Sequence, residues 1–401
     1  MITVEEAIGK VLAETRPLGA EQVMLDEAAG RALAEAIVAT RTLPPWDNSA
    51  MDGYAVRAAD VALGRPLRVT GTHGAGHAPG PLAPGSAARI MTGAPVPPGA
   101  DAIVMREDSD ETGEGDAAEV RFRSVPGPGQ HVRRAGEDVT PGSLLLDVGA
   151  PIGPGEIGLL AAQGRTVVQV RRRPRVAIVS TGDELVEPDR APGPGQIVGT
   201  NGWALAAQCR AAGALPWLLP IARDDRAVIR AALAEALTAD VVLSSGGVSV
   251  GEFDFVKEAL GSLGVEQSFW KVRMKPGKPL AFGTQAGRPV FGLPGNPASS
   301  MVAFELFVRP ALRRMQGFAD VERPRARAIL DEPLGAGGGR RHYLRARVRR
   351  EGGLLYARPN ARQGSGMLRS MVGVNALLEV PEDAGPLAAG AEVTALLLEQ
   401  V

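Results

Sequence analysis

Apolar and polar positions alternate in three different ways along this chain, and each texture reads as a different kind of structure. Near the start the period is helical. Thr3-Val-Glu-Glu6 is a capping box, in which the Thr3 hydroxyl accepts from the third helical N–H and Glu6 reaches back. Ala7, Ile8, Val11 and Leu12 then share one face, predicting a helix to about Thr15. Asp26 is placed to cap a second helix running to Ala34, and Ile37–Ala39 reads as a short strand.

The second texture has the period of strands. Leu67–Thr70, Ala87–Met91, Ala102–Met105 and Val120–Ser124 are short apolar-rich runs separated by Pro/Gly turns. After a Pro/Gly connector at Gly149–Gly155 come a short helix, Glu156–Gln163, and a strand, Thr166–Val170. The third texture mixes the periods. Strands Val176–Val179, Leu215–Leu219, Val241–Leu243 and Pro289–Gly292 alternate with helices Gly202–Ala212, Asp225–Leu237 and Phe253–Leu263, the pattern of a parallel doubly wound α/β sheet. A helix over Ala298–Met315 closes this part. Beyond Ala326 the alternation is again that of strands. In Tyr343–Arg349 the positions Leu344, Ala346 and Val348 face one way and the arginines face the other, as on a solvated sheet face.

Composition narrows the class. At 401 residues the chain needs two to four domains. Lys plus Arg number 44 against 45 Asp plus Glu, so charge favours neither nucleic acid nor an anionic membrane surface. The 51 glycines and 32 prolines imply many turns, hence β-rich domains beside the helical ones. The single cysteine, Cys209, excludes an intramolecular disulfide framework and reads as core filler in an Ala-rich helix. No run of about 18 apolar residues and no basic-then-apolar leader is present, so no membrane span is expected and the cytoplasm is the expected location.

Candidate chemistry gathers where the α/β strands end, because ligands of open α/β sheets sit beyond the carboxyl ends of the strands. Those ends carry Thr181-Gly-Asp-Glu184, Ser245-Gly-Gly-Val248 and Leu293-Pro-Gly-Asn-Pro297, which converge on one crevice. The turn with Ser245, Gly246, Gly247 and Ser249 exposes backbone N–H groups that suit a phosphate or another anion. Glu184, Asp224, Asp225 and Asp254 offer oxygen ligands for Mg²⁺, although Asp225 also reads as a helix cap. Lys271, Lys275 and Lys278 lie around the extended Pro276 turn and supply point charges for anions. Walker A, GxGxxG, GxSxG and HExxH motifs are all missing from the sequence. The polar loop Asp47–Tyr54, with Asp52, has no place in a simple nucleotide fold and points to a second surface.

At these residues the chain resembles the molybdopterin molybdenumtransferase family, called MoeA in bacteria and represented by the gephyrin E domain in animals. The matching strings are Asp47–Ala55, Arg89–Pro95, Arg134–Asp138, Ser180–Leu185, Ser244–Gly251, Lys275–Pro279 and Gly292–Pro297, in family order over nearly the whole chain. The resemblance implies a three-layer doubly wound molybdopterin-binding domain over 173–318. It also implies a linker domain from 1–45 and 137–172, an inserted β-rich domain over 46–136 and a β-barrel-like domain over 319–401. It implies that molybdate and adenylated molybdopterin, with Mg²⁺, give molybdenum cofactor and AMP in a homodimer that also meets the molybdopterin adenylyltransferase.

By matching motifs, Asp52, Thr92 and Asp138 would face the crevice, and Glu184, Asp224 and Asp254 would be the acidic, metal-holding set. Lys271 and Lys275 would hold anions, Pro294 and Pro297 would shape the cleft wall, and Arg345 and Ser365 would come from the C-terminal domain. Two positions depart from the family pattern: Gly199 stands where an acid is common, and Phe255 where a tyrosine usually follows Asp254. Adenylyl transfer to molybdopterin and a non-catalytic scaffold of the same fold are the rival readings.

Overall fold

The computed structural model describes residues 1–246, 255–336 and 338–399. Helix α1, Val4–Glu14, begins as predicted, with Thr3 accepting from the Glu6 amide and the Glu6 carboxylate accepting from the Thr3 amide. By density of contacts the chain separates into two units. One comprises Met1–Glu35, Val148–Gly153 and Val167–Val401, and the other Ala36–Asp147 and Pro154–Thr166.

The first unit is built on a six-stranded sheet. Its elements are β1 (Arg175–Ser180), α2 (Asn201–Ala211), β2 (Leu215–Leu218), α3 (Arg226–Ala236), β3 (Val241–Ser245), α4 (Phe255–Ser262), β4 (Glu266–Trp270), β5 (Ala281–Gln285), β6 (Arg288–Leu293), α5 (Pro297–Ala303) and α6 (Arg309–Met315). The strand order is β2-β1-β3-β6-β5-β4. The strands β2, β1, β3 and β6 run parallel, whereas β5 and β4 are antiparallel additions at one edge. The four strands predicted from the sequence are the parallel ones, and β4 and β5 extend the sheet beyond them. Gly283 and a register shift between Gln267 and Phe269 break the continuous apolar run by which buried strands are recognised.

Both faces of the sheet are covered, which is why β1 and β3 are apolar throughout. Val176, Ile178 and Leu243 pack with Leu205, Phe304 and Phe307 on one face, while Val179, Val242 and Val290 pack with Ile229, Leu233 and Val256 on the other. The expected helix over Ala298–Met315 is interrupted by a π-helical turn at Phe304–Val308. Pro310, just beyond it, has no N–H to return to the preceding turn, which fits this local rewinding.

The same core runs on into the C-terminal strands, since Tyr343, Leu377 and Leu396 join the cluster of Phe304 and Phe307. Strands β7 (Arg325–Leu330), β8 (Arg341–Glu351), β9 (Leu354–Pro359), β10 (Ala376–Val380) and β11 (Glu392–Leu397) pair in the order β8-β9-β7-β11-β10. A further pairing of β10 with β8 closes the barrel. The two-residue strand Met274–Lys275 joins β8 in parallel.

The predicted helix Asp26–Ala34 does not form; Leu25–Glu27 makes one 3-10 turn instead. Gly30 takes a φ of +75°, and the donors that a helix would use go elsewhere, Gly30 N–H to the Ile152 carbonyl and Leu33 N–H to Ala150. Tertiary pairing has overridden a weak local signal.

The second unit holds a mixed six-stranded sheet in the order Ala102–Met105, Gly53–Val56, Ser86–Ile90, Leu67–His73, Glu119–Phe122 and Ser109–Thr112. Tyr54, Val69, Val104, Val120 and Phe122 are buried along it. Among the described residues no helix is long and apolar enough to cross a membrane.

Candidate active site

In the first unit the three strand-end turns meet backbone to backbone. The Thr181 N–H donates to the Ser245 carbonyl at 3.2 Å, and Gly182 N–H to Ala222 at 3.1 Å. Gly246 has a φ of +100°, and a side chain there would begin 2.8 Å from the Thr181 carbonyl oxygen. Gly295 lies against Gly246 from the other side, its own Cβ position 3.8 Å from the Gly246 Cα. Asn201, the first residue of α2, ties the set together by donating to Ser245 Oγ at 2.9 Å and to the Gly295 carbonyl at 2.7 Å.

The acids sit on the rim of this knot. Asp183 and Asp224 exchange bonds: the Asp183 N–H donates to Asp224 Oδ2 and the Asp224 N–H to Asp183 Oδ1, each at 3.2 Å. Arg223 Nη1 steadies the same turn by donating to the Asp183 carbonyl at 2.8 Å. The Glu184 carboxylate folds over Gly182, in the space a side chain there would occupy. Asp225 is the cap of α3, accepting from Ala227 and Val228 at 2.9 and 3.0 Å, and is spent on that role. Among the described residues no three His, Cys, Asp or Glu side chains are grouped closely enough to enclose a metal. Asp254, the third expected acid, lies outside the described residues, as do Gly247 and Ser249.

Cationic residues approach from the side of α5. Gly277, with a φ of +105°, lets the Lys275–Lys278 turn pack closely, its Cβ position falling 3.0 Å from Met274 Cε and 3.6 Å from the Ser299 carbonyl. Both Lys275 and Lys278 are exposed. Lys271 has a φ of +73° and its N–H is bonded to the Leu280 carbonyl, and among the described residues no hydrogen bond or ion pair ties its side chain to these turns. Pro294 is buried, and Pro297 occupies the first turn of α5, where its missing N–H costs nothing.

The barrel contributes Ser365 and Arg345. The Ser365 carbonyl accepts from the Ala298 N–H at 3.1 Å, and its hydroxyl accepts from Asn296 Nδ2 at 3.1 Å. Arg345 is 1% exposed, which corrects the expectation that the β8 arginines share a solvated face. Its Nη2 donates to the Gly364 carbonyl at 3.1 Å and to Ser370 Oγ at 3.2 Å. No carboxylate pairs with it among the described residues, and burial lowers its pKa below the usual guanidinium range.

In the second unit Asp52 and Thr92 meet directly. Asp52 Oδ1 accepts from the Thr92 N–H at 2.6 Å and from its hydroxyl at 2.8 Å. These bonds, backbone first, with the Arg106 charge as a lesser cause, hold the Asp52 carboxyl below the usual carboxylate range. Asp138 is exposed on the neighbouring turn, its N–H bonded to the Leu43 carbonyl at 3.1 Å. Asp47 organises that turn by accepting from Arg134 Nη1 at 2.6 Å and the Ala135 N–H at 2.8 Å.

Comparison with known proteins settles the family. The MoeA N-terminal region (domain I and II) matches residues 2–164, a probable molybdopterin binding domain 177–314, and the MoeA C-terminal region (domain IV) 327–398. Molybdopterin molybdenumtransferase 2 of Mycobacterium tuberculosis is 41% identical over 405 residues, covering 97% of each chain. The chain belongs to the molybdopterin molybdenumtransferase family. A family member from Haemophilus influenzae is 37% identical over 98% of each chain. The crystal structure of the molybdopterin biosynthesis moeA protein from Pyrococcus horikoshii superposes with a TM-score of 0.85 at 33% identity, covering 99% of this chain and all of that one.

Three residues of this molybdenumtransferase-family chain take part in the site without a local sequence signal that marks them. Asp183 and Asp47 each share a motif with a stronger candidate acid, Glu184 and Asp52. Asn201 stands at a helix start, where Asn is ordinarily read as a cap. Its clasp depends on Ser245 and Gly295, which no local pattern connects to it.

Proposed function

We propose that this chain inserts molybdate into adenylated molybdopterin, with Mg²⁺, and releases AMP. The observation that carries the reading is the knot of three strand-end turns around Gly246, clasped by Asn201, with Asp183, Glu184 and Asp224 at its Gly182 side and the Lys275–Lys278 turn packed against Ser299 of α5.

Gly246 lets its turn pack against Thr181 at the end of β3, and a glycine-rich turn at a strand end suits a phosphate. Lys275 and Lys278 hold the oxyanions, molybdate included, as exposed point charges on a turn braced by Gly277. Arg345, buried without a carboxylate partner among the described residues, keeps a positive charge on Gly364, next to the Ser365 that bonds Asn296 at the start of α5. The donor set fits Mg²⁺, a hard cation that takes one or two carboxylates and keeps several waters. Glu184, Asp224 and Asp254 are the proposed holders, and the ion would supply Lewis-acid polarisation of the phosphoryl oxygens. Asp52, fixed in its ionised form by Thr92, together with Asp138, offers a second acidic surface to the substrate in a homodimer. Catalysis on this reading is positioning and electrostatic stabilisation, with no covalent intermediate on the protein.

The test is AMP release from adenylated molybdopterin by the purified protein. Release that requires both molybdate and Mg²⁺, and that falls sharply in Asp254→Ala, is expected. Release that proceeds without molybdate, or unchanged turnover in the variant, contradicts the assignment.

A further inference from the structure

The sheet of the second unit has a seam. Its two edge strands, Ala102–Met105 and Ser109–Thr112, are consecutive in the chain and joined by the 3-10 turn Arg106–Asp108. Laid flat, six strands would hold those edges about 24 Å apart, five spacings of about 4.8 Å. A connection of this length reaches about 14 Å at most, so the sheet rolls until its edges approach. Among the described residues no backbone pairing joins the two edges. Side chains close the gap instead. Tyr54 and Arg89 stand opposite each other on Gly53–Val56 and Ser86–Ile90, and both donate to the Glu111 carboxylate on the far edge, with Arg89 Nε 3.0 Å from Oε2. The Tyr54 ring also meets Phe122 edge-on, 5.9 Å between centres, and Phe122 pairs with Ser109 of that edge.

The seam closes beside the Asp52–Thr92 pair. Tyr54 follows Asp52 by two residues, and Arg89 precedes Thr92 by three. The Asp52 carbonyl accepts from the Arg106 N–H at 3.1 Å, so the turn that joins the edges is tied to Asp52 as well. Asp52 and Thr92 are thus carried by the two strands that Glu111 grips and by the turn that leads to Glu111. The bonds from Arg89 first, with Tyr54 adding to them and burial opposing, hold the Glu111 carboxyl below the usual carboxylate range, so the grip is ionic at neutral pH. An ion pair this exposed adds little to global stability. Its effect falls on where the two strand ends sit.

We infer that Glu111 is a positioning residue for the Asp52–Thr92 pair, latching the rolled sheet shut at the end where that pair stands. Its bearing on turnover rests on the proposed function; the latch itself does not. The test uses the full-length protein with Glu111→Ala and Tyr54→Phe, the second of which keeps the ring against Phe122 and removes one donor. Amide hydrogen exchange reads the Thr92 N–H, which bonds Asp52. Exchange at Thr92 is expected to quicken at least tenfold in Glu111→Ala and at least threefold in Tyr54→Phe, while the amides of Leu67–His73 keep their wild-type rates. For AMP release, Glu111→Ala is expected to lose about tenfold in kcat with KM within about threefold. Added to Asp52→Asn, the same change is expected to cost less than twofold, because Glu111 acts through Asp52. Unchanged Thr92 exchange in both variants, or equal quickening throughout the sheet, overturns the latch. A full tenfold cost on the Asp52→Asn background overturns the positioning of Asp52. Quickened Thr92 exchange in variants of a protein that releases no AMP, or whose Asp52→Asn form releases it at the wild-type rate, supports the latch and sinks the proposed role of Asp52.

Discussion

The Asn201 amide donates to the Ser245 hydroxyl at 2.9 Å, joining the first residue of α2 to the last residue of β3. With its second bond to Gly295, one side chain holds the ends of two adjacent strands. Each such bond contributes about 0.5–1.5 kcal/mol net, and small misplacements of a catalytic surface cost far more in rate than in stability. Asn201→Ala is expected to lower stability by about 1–3 kcal/mol in urea unfolding while reducing kcat/KM at least tenfold. A variant with wild-type turnover would mean that the clasp is structural only.

Gly246→Ala tests the turn itself. A φ of +100° and a Cβ 2.8 Å from the Thr181 carbonyl leave the new methyl group no unstrained position. The cost is about 1–3 kcal/mol, and the two turns must part to accommodate it. Loss of AMP release by about two orders of magnitude, with the circular dichroism spectrum retained, is the expected result.

His342 offers a pH readout of the cationic rim. It pairs with Lys275 across the sheet, follows Arg340 and Arg341 in the chain, and stands opposite Val380 of β10. Partial burial, then Lys275, then Arg340 lower its pKa below 6.5. A lowered folded-state value means that the related stability is fully present above 6.5 and is lost as pH falls through the lower folded value. His342→Gln should flatten that slope in pH-dependent unfolding. With only 4 histidines in the chain, NMR can follow each directly. Added phosphate is expected to raise the His342 value, and no movement would place the anion elsewhere.

Cys209 is fully buried in the core between α2 and the sheet, and burial pushes its thiol up to about 12. At pH 8 a disulfide reagent should leave the native protein unmodified and react with one thiol per chain in denaturant. Rapid native reaction would show that α2 opens readily.

Several elements were legible because their causes are local. The Thr3–Glu6 capping box and the apolar runs of β1 and β3 need only neighbouring residues to be recognised. The rule that ligands gather at strand carboxyl ends then placed Glu184, Asp224, Ser245 and Pro297 around one crevice, and in the structure Thr181 bonds to Ser245, Gly182 to Ala222 and Asp183 to Asp224. The failures share a physical origin. Within Asp26–Ala34 the N–H groups of Gly30, Leu33 and Ala34 go to carbonyls more than a hundred residues away, such as that of Ile152. The strands β4 and β5 drew their order from antiparallel pairing at a sheet edge, with a register shift that masks their alternation.

Arg345 shows the division most plainly. Its place in Tyr343–Arg349, alternating with Leu344 and Ala346, is that of a residue on a wet face, and Arg347 and Arg349 are indeed exposed. Closure of the barrel through β8 and β10 and the return of the 360–370 segment over β8 bury Arg345 against Gly364 and Ser370. Sequence by itself determined the period of each element, the motif residues and their order, because these depend on short-range sterics and on which side chains are present. Tertiary structure decided which carbonyl each free N–H found, which charge lost its water, and that Asn201 would hold two strands. Such outcomes arise from contacts between residues far apart in the chain, whose free energies no local window contains.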